Sequence, residues 1–266
     1  MRFTKMQGLG NDYLYVFGDV PDNISKLSRR LSDRHFGAGS DGMIYISPSD
    51  KADFKMRIFN SDGSEAMMCG NGIRCVGKYL FDKNHTTKKE LFIETLSGIK
   101  KLILHTEEGK VKTVTVDMGV TDVSEKMDLP LSDMTVTGYR VSVGNPHFVI
   151  FSFDPDKAPV SSIGPRIEKH PEFPGGINVE FASVTAEGKL RMRVWERGSG
   201  ITMACGTGAC AAAAAAVKQG FFDHGTPVAV VLDGGELKIT IADTEVAYME
   251  GPAETVFEGE TDDYAS

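Results

Sequence analysis

Hydrophobic and polar residues alternate along this chain in short runs rather than in helical stripes. β-Branched and aromatic residues at every second position, bounded by Gly, Asp and Ser, predict strands at Tyr13 to Phe17, Met43 to Ile46, Phe54 to Phe59, Leu91 to Glu94, Lys101 to His105 and Val111 to Met118. The same pattern returns at Arg140 to Val143, Phe148 to Phe153, Leu190 to Trp195, Val228 to Leu232 and Glu236 to Ile241. Helical periodicity is sparse. Two predicted helices, Ile73 to Phe81 and Ala209 to Gln219, each follow a glycine-rich turn, and the second stops at Gly220, a suitable C-cap. Weaker patterns predict helices at Ile24 to Asp33 and Ser161 to Lys169. The run Ala211 to Ala216 reads as structural, because Ala is the best helix former and its small side chain lets a helix pack closely. Many strands around few helices predict an α+β fold.

The two helix-leading turns are near-copies. Met-Cys-Gly-Asn-Gly at Met68 to Gly72 is answered 136 residues later by Ala-Cys-Gly-Thr-Gly at Ala204 to Gly208. Gly-Asn-Asp at Gly10 to Asp12 is answered 134 residues later by Gly-Asn-Pro at Gly144 to Pro146. Asn60 and Glu196 each lie nine residues before a cysteine of the pair, and Gly42 falls opposite Asn178. The chain thus reads as two copies of one unit, with a period far too long for a solenoid. The joint is expected near Met118 to Pro130, where strand signal gives way to a polar stretch, and the acidic tail Glu258 to Ser266 is expected to fray.

A length of 266 residues that are 41% hydrophobic suffices for two modest cores. The net charge of −8 argues against nucleic acid as a partner, which needs clustered Lys and Arg. The opening residues show no secretory pattern, and the longest apolar run, Ala209 to Val217, is well short of the roughly 20 residues that span a bilayer. A cytoplasmic protein without membrane contact is the expectation. Its four cysteines, Cys69, Cys75, Cys205 and Cys210, are then expected to be reduced thiols, and their spacings lack the usual zinc pattern, so no metal is expected.

A cysteine just before a helix lies among backbone N–H groups without helical partners, at the positive end of the macrodipole. Both features favour thiolate over thiol and predict lowered pKa values for Cys69 and Cys205. Glycines at 70, 72, 206 and 208 let backbone approach a ligand, and the N–H groups of Asn71, Gly206 and Thr207 suit a carboxylate. Two such thiols around one substrate Cα offer a base on one face and an acid on the other, which is what inversion at carbon requires. The helix N-termini would steady the charge that builds on the carboxylate, and no cofactor is needed. Cys75 and Cys210 fall inside the predicted helices and read as packing residues. Asn11 and Asn145 follow glycines and suit a turn as well as a ligand, His147 suits a buried hydrogen-bonded site as well as a chemical one, and Glu196 with Arg197 suits an exposed pair at a strand end.

The segments FNSDGSEAMMCGNGIRC (Phe59 to Cys75), GNPHF (Gly144 to Phe148) and RVWERGSGITMACGTGAC (Arg193 to Cys210) resemble the signatures of the diaminopimelate epimerases, as do KMQGLGND (Lys5 to Asp12) and GAGSDG (Gly37 to Gly42). The resemblance spans almost the whole chain. It implies two pseudo-symmetric domains, each a β-barrel-like sheet around a central helix, covering residues 1–117 and 118–251 with 252–266 returning to the first. It implies pyridoxal-phosphate-independent interconversion of L,L- and meso-diaminopimelate on the route to lysine and peptidoglycan, in a homodimer. Cys69 and Cys205 would be the acid–base pair; Asn11, Asn60, Gly70, Asn71, Asn145, Asn178, Glu196, Arg197, Gly206 and Thr207 would contact substrate; His147 and Glu196 would tune the thiols. Two positions depart from the pattern: Ile201 stands where many members have Glu, and Gly42 where some have Gln. Proline racemases and hydroxyproline epimerases share the implied fold and form the alternative within the same chemistry. A non-catalytic binder of amino acids or cell-wall fragments is the alternative outside it.

Overall fold

The computed structural model describes residues 1–151 and 153–262. The chain divides into two compact units, Met1–Val116 with residues 251–262, and Asp117–Glu250. The first unit runs β1 (Arg2–Gly8), β2 (Asn11–Phe17), α1 (Ile24–Ser32), β3 (Gly42–Pro48), β4 (Phe54–Asn60), β5 (Glu65–Ala66), α2 (Gly70–Asp82), β6 (Glu90–Thr95), β7 (Gly98–Glu107) and β8 (Lys110–Val120), whose last residues lead into the second unit. There follow β9 (Asp122–Pro130), β10 (Thr135–Ser142), β11 (Pro146–Ile150), α3 (Val160–Glu168), β12 (Asn178–Val184), β13 (Leu190–Glu196), β14 (Gly200–Ile201), α4 (Gly206–Lys218), β15 (Val228–Leu232), β16 (Gly235–Ile241) and β17 (Val246–Pro252). The last strand, β18 (Glu254–Glu260), pairs with β1 in the first unit.

Strand pairing is the same in both units. In the first, β18–β1–β2 is antiparallel, β2–β3 parallel, β3–β4 antiparallel, β4–β6 parallel and β6–β7–β8 antiparallel. In the second, β9–β10–β11 is antiparallel, β11–β12 parallel, β12–β13 antiparallel, β13–β15 parallel and β15–β16–β17 antiparallel. The α+β class and the internal duplication therefore appear in hydrogen-bond topology as well as in sequence. The second sheet wraps α4, which touches β9 to β13, β15 and β16. Ala209 through Val217 are all buried, so a helix apolar on every side fits where only small side chains leave room. In the first unit α2 lies against β1, β2 and β7, and Gly77 approaches Leu104 so closely that a Cβ there would need the leucine end to shift. The outer helices α1 and α3 bury Ile24, Leu27 and Leu31, and Val160, Ile163 and Ile167, on the other face of their sheets.

Several expectations change. The stretch Met118 to Pro130 is not a polar break but the end of β8 and all of β9, which pairs with β10 and whose exposed residues are mostly polar. Glu258 to Glu260 do not fray: they hydrogen-bond along β1 in β18, with Thr4 Oγ1 donating to Glu258 at 2.7 Å. Residues 263–266 of that tail lie outside the described residues, as does Ser152 in the strand expected at Phe148 to Phe153, which ends at Ile150. Both cysteine-led helices begin three residues earlier than periodicity indicates, at Gly70 and Gly206. Gly220 stands one residue past the C-cap Gln219 with φ 74°, a left-handed position suited to Gly. Among the described residues no helix is long and apolar enough to cross a membrane.

Candidate active site

In the first unit, Cys69 is the N-cap of α2, with extended backbone (φ −138°, ψ 114°), and its Sγ accepts the N–H of Gly72 at 3.3 Å. A cap residue must leave the helical region while a side-chain acceptor meets the first free N–H groups, and the sulfur performs that role here. The thiol also donates to Asn11 Oδ1 at 3.1 Å. Asn11 opens β2, and its amide is oriented from behind: Nδ2 donates to Asp41 Oδ2 at 2.8 Å, so Oδ1 faces the sulfur. Asp41 is in turn paired with Arg34 at 2.9 Å, and Arg34 and Lys5 both grip Asp12 next to Asn11. Asn71 is buried and accepts from Arg74 at 2.9 Å, while Asn60 closes β4 with Nδ2 donating to Ser64 at 3.0 Å. Burial, with the charge of Cys69 next in weight, pushes the Tyr13 phenol far above its ordinary value, so this hydroxyl stays protonated beside the thiol.

In the second unit, Cys205 caps α4 in the same way (φ −116°, ψ 111°) and accepts the N–H of Gly208 at 3.3 Å. Thr207 Oγ1 lies 3.6 Å from the sulfur and accepts from Asn145 Nδ2 at 3.3 Å. Asn145 Oδ1 meets His147 Nε2 at 3.0 Å, and His147 Nδ1 meets Glu180 Oε1 at 2.7 Å, with His147 and Glu180 both fully buried. Glu196, at the end of β13, accepts from the Thr202 hydroxyl. Burial raises its pKa, and the neighbouring Glu180 charge adds to that rise against the Thr202 bond and His147.

Cys205 is not poised as its helix position alone indicates. Burial pushes Cys205 well above its ordinary value, and the charges of Glu196 and Glu180 push the same way. The Thr207 hydroxyl and the Gly208 N–H oppose this without overcoming it, so Cys205 rests as a thiol. Cys75 is likewise pushed up to about 11 by burial, in keeping with a packing role.

Of the residues singled out from sequence, Cys69, Asn11, Gly70 and Asn71 gather at the start of α2 in the first unit. Cys205, Gly206, Thr207, Asn145, His147 and Glu196 gather at the start of α4 in the second. Asn178 and Arg197 are differently employed. Asn178 Nδ2 donates to Pro146 O at 2.9 Å and its Oδ1 accepts Arg197 N–H at 3.0 Å, which ties β11 to the end of β13. The exposed Arg197 side chain folds onto Gly175 O at 3.1 Å. Gly42 pairs with Asn60, and a Cβ there would lie 2.1 Å from Phe59 O, so this backbone admits no Gln at that position. Ile201 is exposed, next to the Thr202 that donates to Glu196. Sequence reasoning missed Tyr13, Asp41 and Glu180. The repeat offset carried a signal for two of them, since Tyr13 falls opposite His147 and Ile44 opposite Glu180.

A sequence profile of the diaminopimelate epimerases matches residues 3–123 and 139–256. Diaminopimelate epimerases of Acetivibrio thermocellus and Bacillus subtilis are each 49% identical to this chain, over 98% of it and 99% of the first relative, and over 97% of it and of the second. Among solved structures, a probable proline racemase from Agrobacterium radiobacter superposes with a TM-score of 0.75 at 17% identity, covering 98% of this chain and 92% of that one. A phenazine biosynthesis protein from Bacillus anthracis superposes at 0.76 with 16% identity, covering 98% of both. At such identities these two establish the shared fold alone. The profile match and the near-half identity along the full chain go further: this chain belongs to the diaminopimelate epimerase family.

Proposed function

We propose that the chain interconverts L,L- and meso-diaminopimelate by a two-base mechanism in which Cys69 and Cys205 act on opposite faces of one substrate Cα. The observation that carries this reading is that each of two equivalent units presents one thiol as the N-cap of a helix, with a backbone N–H directed at its sulfur. The substrate α-carboxylate would bind the free N–H groups at one or both helix starts, where Gly70, Asn71, Gly206 and Thr207 bring backbone close. One sulfur, as thiolate, takes the Cα proton, the helix ends stabilise the charge that spreads onto the carboxylate, and the other sulfur, as thiol, returns a proton from the far side. The weak acidity of an amino-acid Cα makes exclusion of water part of the mechanism.

Contacts around the two sulfurs support roles for further residues. Asn11 accepts from Cys69 and so faces the reacting sulfur; Thr207 faces Cys205, and Asn145 donates to the Thr207 hydroxyl. Glu196 and Asn60 hold the same place in the two units and would bind polar groups of the substrate, whose second amino-acid end offers an ammonium for Glu196 and a carboxylate for Arg197. The family resemblance assigns the product to lysine and peptidoglycan precursor synthesis.

Proton NMR of L,L-diaminopimelate with reduced protein in deuterium oxide tests the proposal. The expected result is loss of the Cα–H signal with appearance of the meso isomer, abolished in Cys69→Ala and in Cys205→Ala. Unimpaired epimerisation by either variant would overturn the two-base mechanism. Exchange on proline with none on diaminopimelate would keep the mechanism and move the substrate.

A further inference from the structure

Glu180 is a carboxylate where the fold requires none. It lies in the middle of β12, fully buried, and its Oε2 has no hydrogen-bond partner among the described residues. Burying a carboxylate costs several kcal/mol unless it is paired and hydrogen-bonded. At the equivalent place in the first unit stands Ile44, also fully buried, beneath Gly72 as Glu180 lies beneath Gly208. The same backbone thus accepts an aliphatic side chain at this position, and the carboxylate in the second unit calls for another explanation.

Its contacts lead to the thiol. In parallel pairing His147 stands opposite Asn178, which puts His147 and Glu180 on one face of neighbouring strands. Asn145 Nδ2 donates to Thr207, so its Oδ1 is turned to His147, and an amide oxygen only accepts; Nε2 therefore carries a hydrogen. The 2.7 Å contact between Nδ1 and Oε1 joins two atoms that are acceptors unless one is protonated. It holds one hydrogen, as imidazolium with carboxylate or as imidazole with carboxylic acid, and the pair is neutral overall in both forms. A Cβ on Gly208 would sit 2.7 Å from Glu180 Oε1 and 3.2 Å from Cys205 Sγ, so that carboxyl oxygen and the sulfur flank the same bare Cα.

We propose that Glu180 is a positioning residue for the epimerisation: it shares one hydrogen with His147 and thereby fixes the ring, Asn145 and the Thr207 hydroxyl around the Cys205 sulfur as that sulfur loses and regains its proton. When Cys205 is a thiol, the shared hydrogen resides on Nδ1. As the thiolate forms, the Nδ1–H bond breaks and an Oε1–H bond forms, which removes carboxylate charge from beside the sulfur, and no proton leaves the pair. Glu196 from β13 and Cys205 itself are the other titratable groups coupled to this cluster.

The proposal rests on Cys205 being an acid–base residue, and its test is separable from that reading. Glu180→Gln keeps the shape but cannot hold the hydrogen, and Glu180→Ile copies the other unit. Each variant is expected to lower kcat on the order of tenfold to a hundredfold with KM little changed, because a sub-ångström loss of alignment acts on the transition state. Each is also expected to move the pH profile of kcat. Nitrogen-15 NMR of the His147 ring over about pH 6 to 9, spanning imidazole and thiol titration, should show Nδ1 carrying the shared hydrogen in the unaltered protein and a ring without it in Glu180→Gln. Folded variants with unaltered kcat and ring shifts would overturn the proposal. So would two variants that both fail to fold, which would assign Glu180 to the core. An inactive unaltered protein with the expected ring signals would instead overturn the functional reading and leave the Glu180–His147 hydrogen bond standing.

Discussion

Adding one methyl group at two equivalent glycines should separate the two half-sites. Gly72 and Gly208 each donate their N–H to a cysteine sulfur from the first turn of a helix, and neither has a left-handed backbone, so Ala is conformationally allowed at both. By propensity alone Ala would stabilise each helix by up to about 1 kcal/mol. What the new Cβ meets differs. At Gly72 it lies 2.8 Å from Ile44 Cδ1, the free end of an aliphatic chain, and 3.5 Å from Cys69 Sγ. At Gly208 it lies 2.7 Å from Glu180 Oε1, which His147 holds at 2.7 Å, and 3.2 Å from Cys205 Sγ. Ile44 can rotate its terminal methyl away, whereas Gly208→Ala requires Glu180 Oε1 to move off its His147 bond and the sulfur to give by a few tenths of an ångström. Overpacking of this kind costs about 1–3 kcal/mol, and displacement of a reacting atom by about 1 Å costs on the order of a hundredfold in rate. Gly208→Ala is therefore expected to lose about tenfold to a hundredfold in kcat and to melt lower; Gly72→Ala should stay within a few-fold of the parent and melt at or slightly below its temperature. Progress curves for diaminopimelate epimerisation and thermal denaturation of the purified proteins measure both. If Gly72→Ala were the more damaging change, or Gly208→Ala were silent, the close approach of Glu180 to the cap of α4 would not be what constrains this thiol.

Two other perturbations test the electrostatics of each unit. Glu196→Gln removes the charge that, after burial, does most to raise Cys205, so the thiol should titrate at lower pH; ultraviolet absorbance of thiolate against pH in a Cys69→Ala background reads this, and an unchanged or higher midpoint would refute it. In the first unit, burial works to raise Asp12, but hydrogen bonds and charge from Arg34 and Lys5 together hold it below its ordinary value. A carboxylate lowered in this way stabilises the fold above its unfolded value of about 3.9 and ceases to do so as pH falls through the folded value. Asp12→Asn should cost about 2 kcal/mol at neutral pH, an amount that shrinks towards zero in acid, as denaturant titrations at several pH values would show; a cost that does not vary with pH would mean the pairing contributes shape rather than charge.

How much of this was legible in the sequence depends on what each segment faces. The strands that sequence reasoning found, such as Tyr13 to Phe17 and Leu190 to Trp195, alternate or bury cleanly. Several of those it missed carry polar residues for local reasons. β9 exposes most of its side chains, β18 exposes nearly all of its own, and β12 hides a Glu among apolar neighbours. The cysteine-led helices were placed correctly but started late, because glycines at 70, 72, 206 and 208 weaken helical propensity in the very turn that the backbone uses to meet sulfur. The cysteine pair and the Asn11 and Asn145 pair were readable because they repeat, and the family resemblance supplied Asn60, Asn178, Glu196 and His147. Glu180 and Tyr13 lie at offsets the repeat marks but carry unlike residues, so neither copy drew attention to the other. The expected lowering of both thiol pKa values failed at Cys205 for a related reason: helix position follows from local sequence, whereas the burial that chiefly overrules it, and the Glu180 and Glu196 charges that add to it, come from the packing of β12 and β13 around the sulfur.

Those divergent positions have a common chemical sense. The proposed two-base mechanism begins each turnover with one thiolate and one thiol, and identical half-sites would leave undecided which sulfur takes which role. The duplicated backbone supplies the same sulfur, the same cap and the same N–H donor twice. The side chains around it then break the equivalence: Ile44 stands near the Cys69 sulfur where Glu180, with Glu196, stands near Cys205, and Tyr13 against His147 places a phenol held neutral opposite an imidazole that shares a hydrogen. Separating the protonation of two like groups through unlike surroundings is how acid and base roles are assigned within one site. On this view duplication accounts for the scaffold, and the departures from it account for the catalyst.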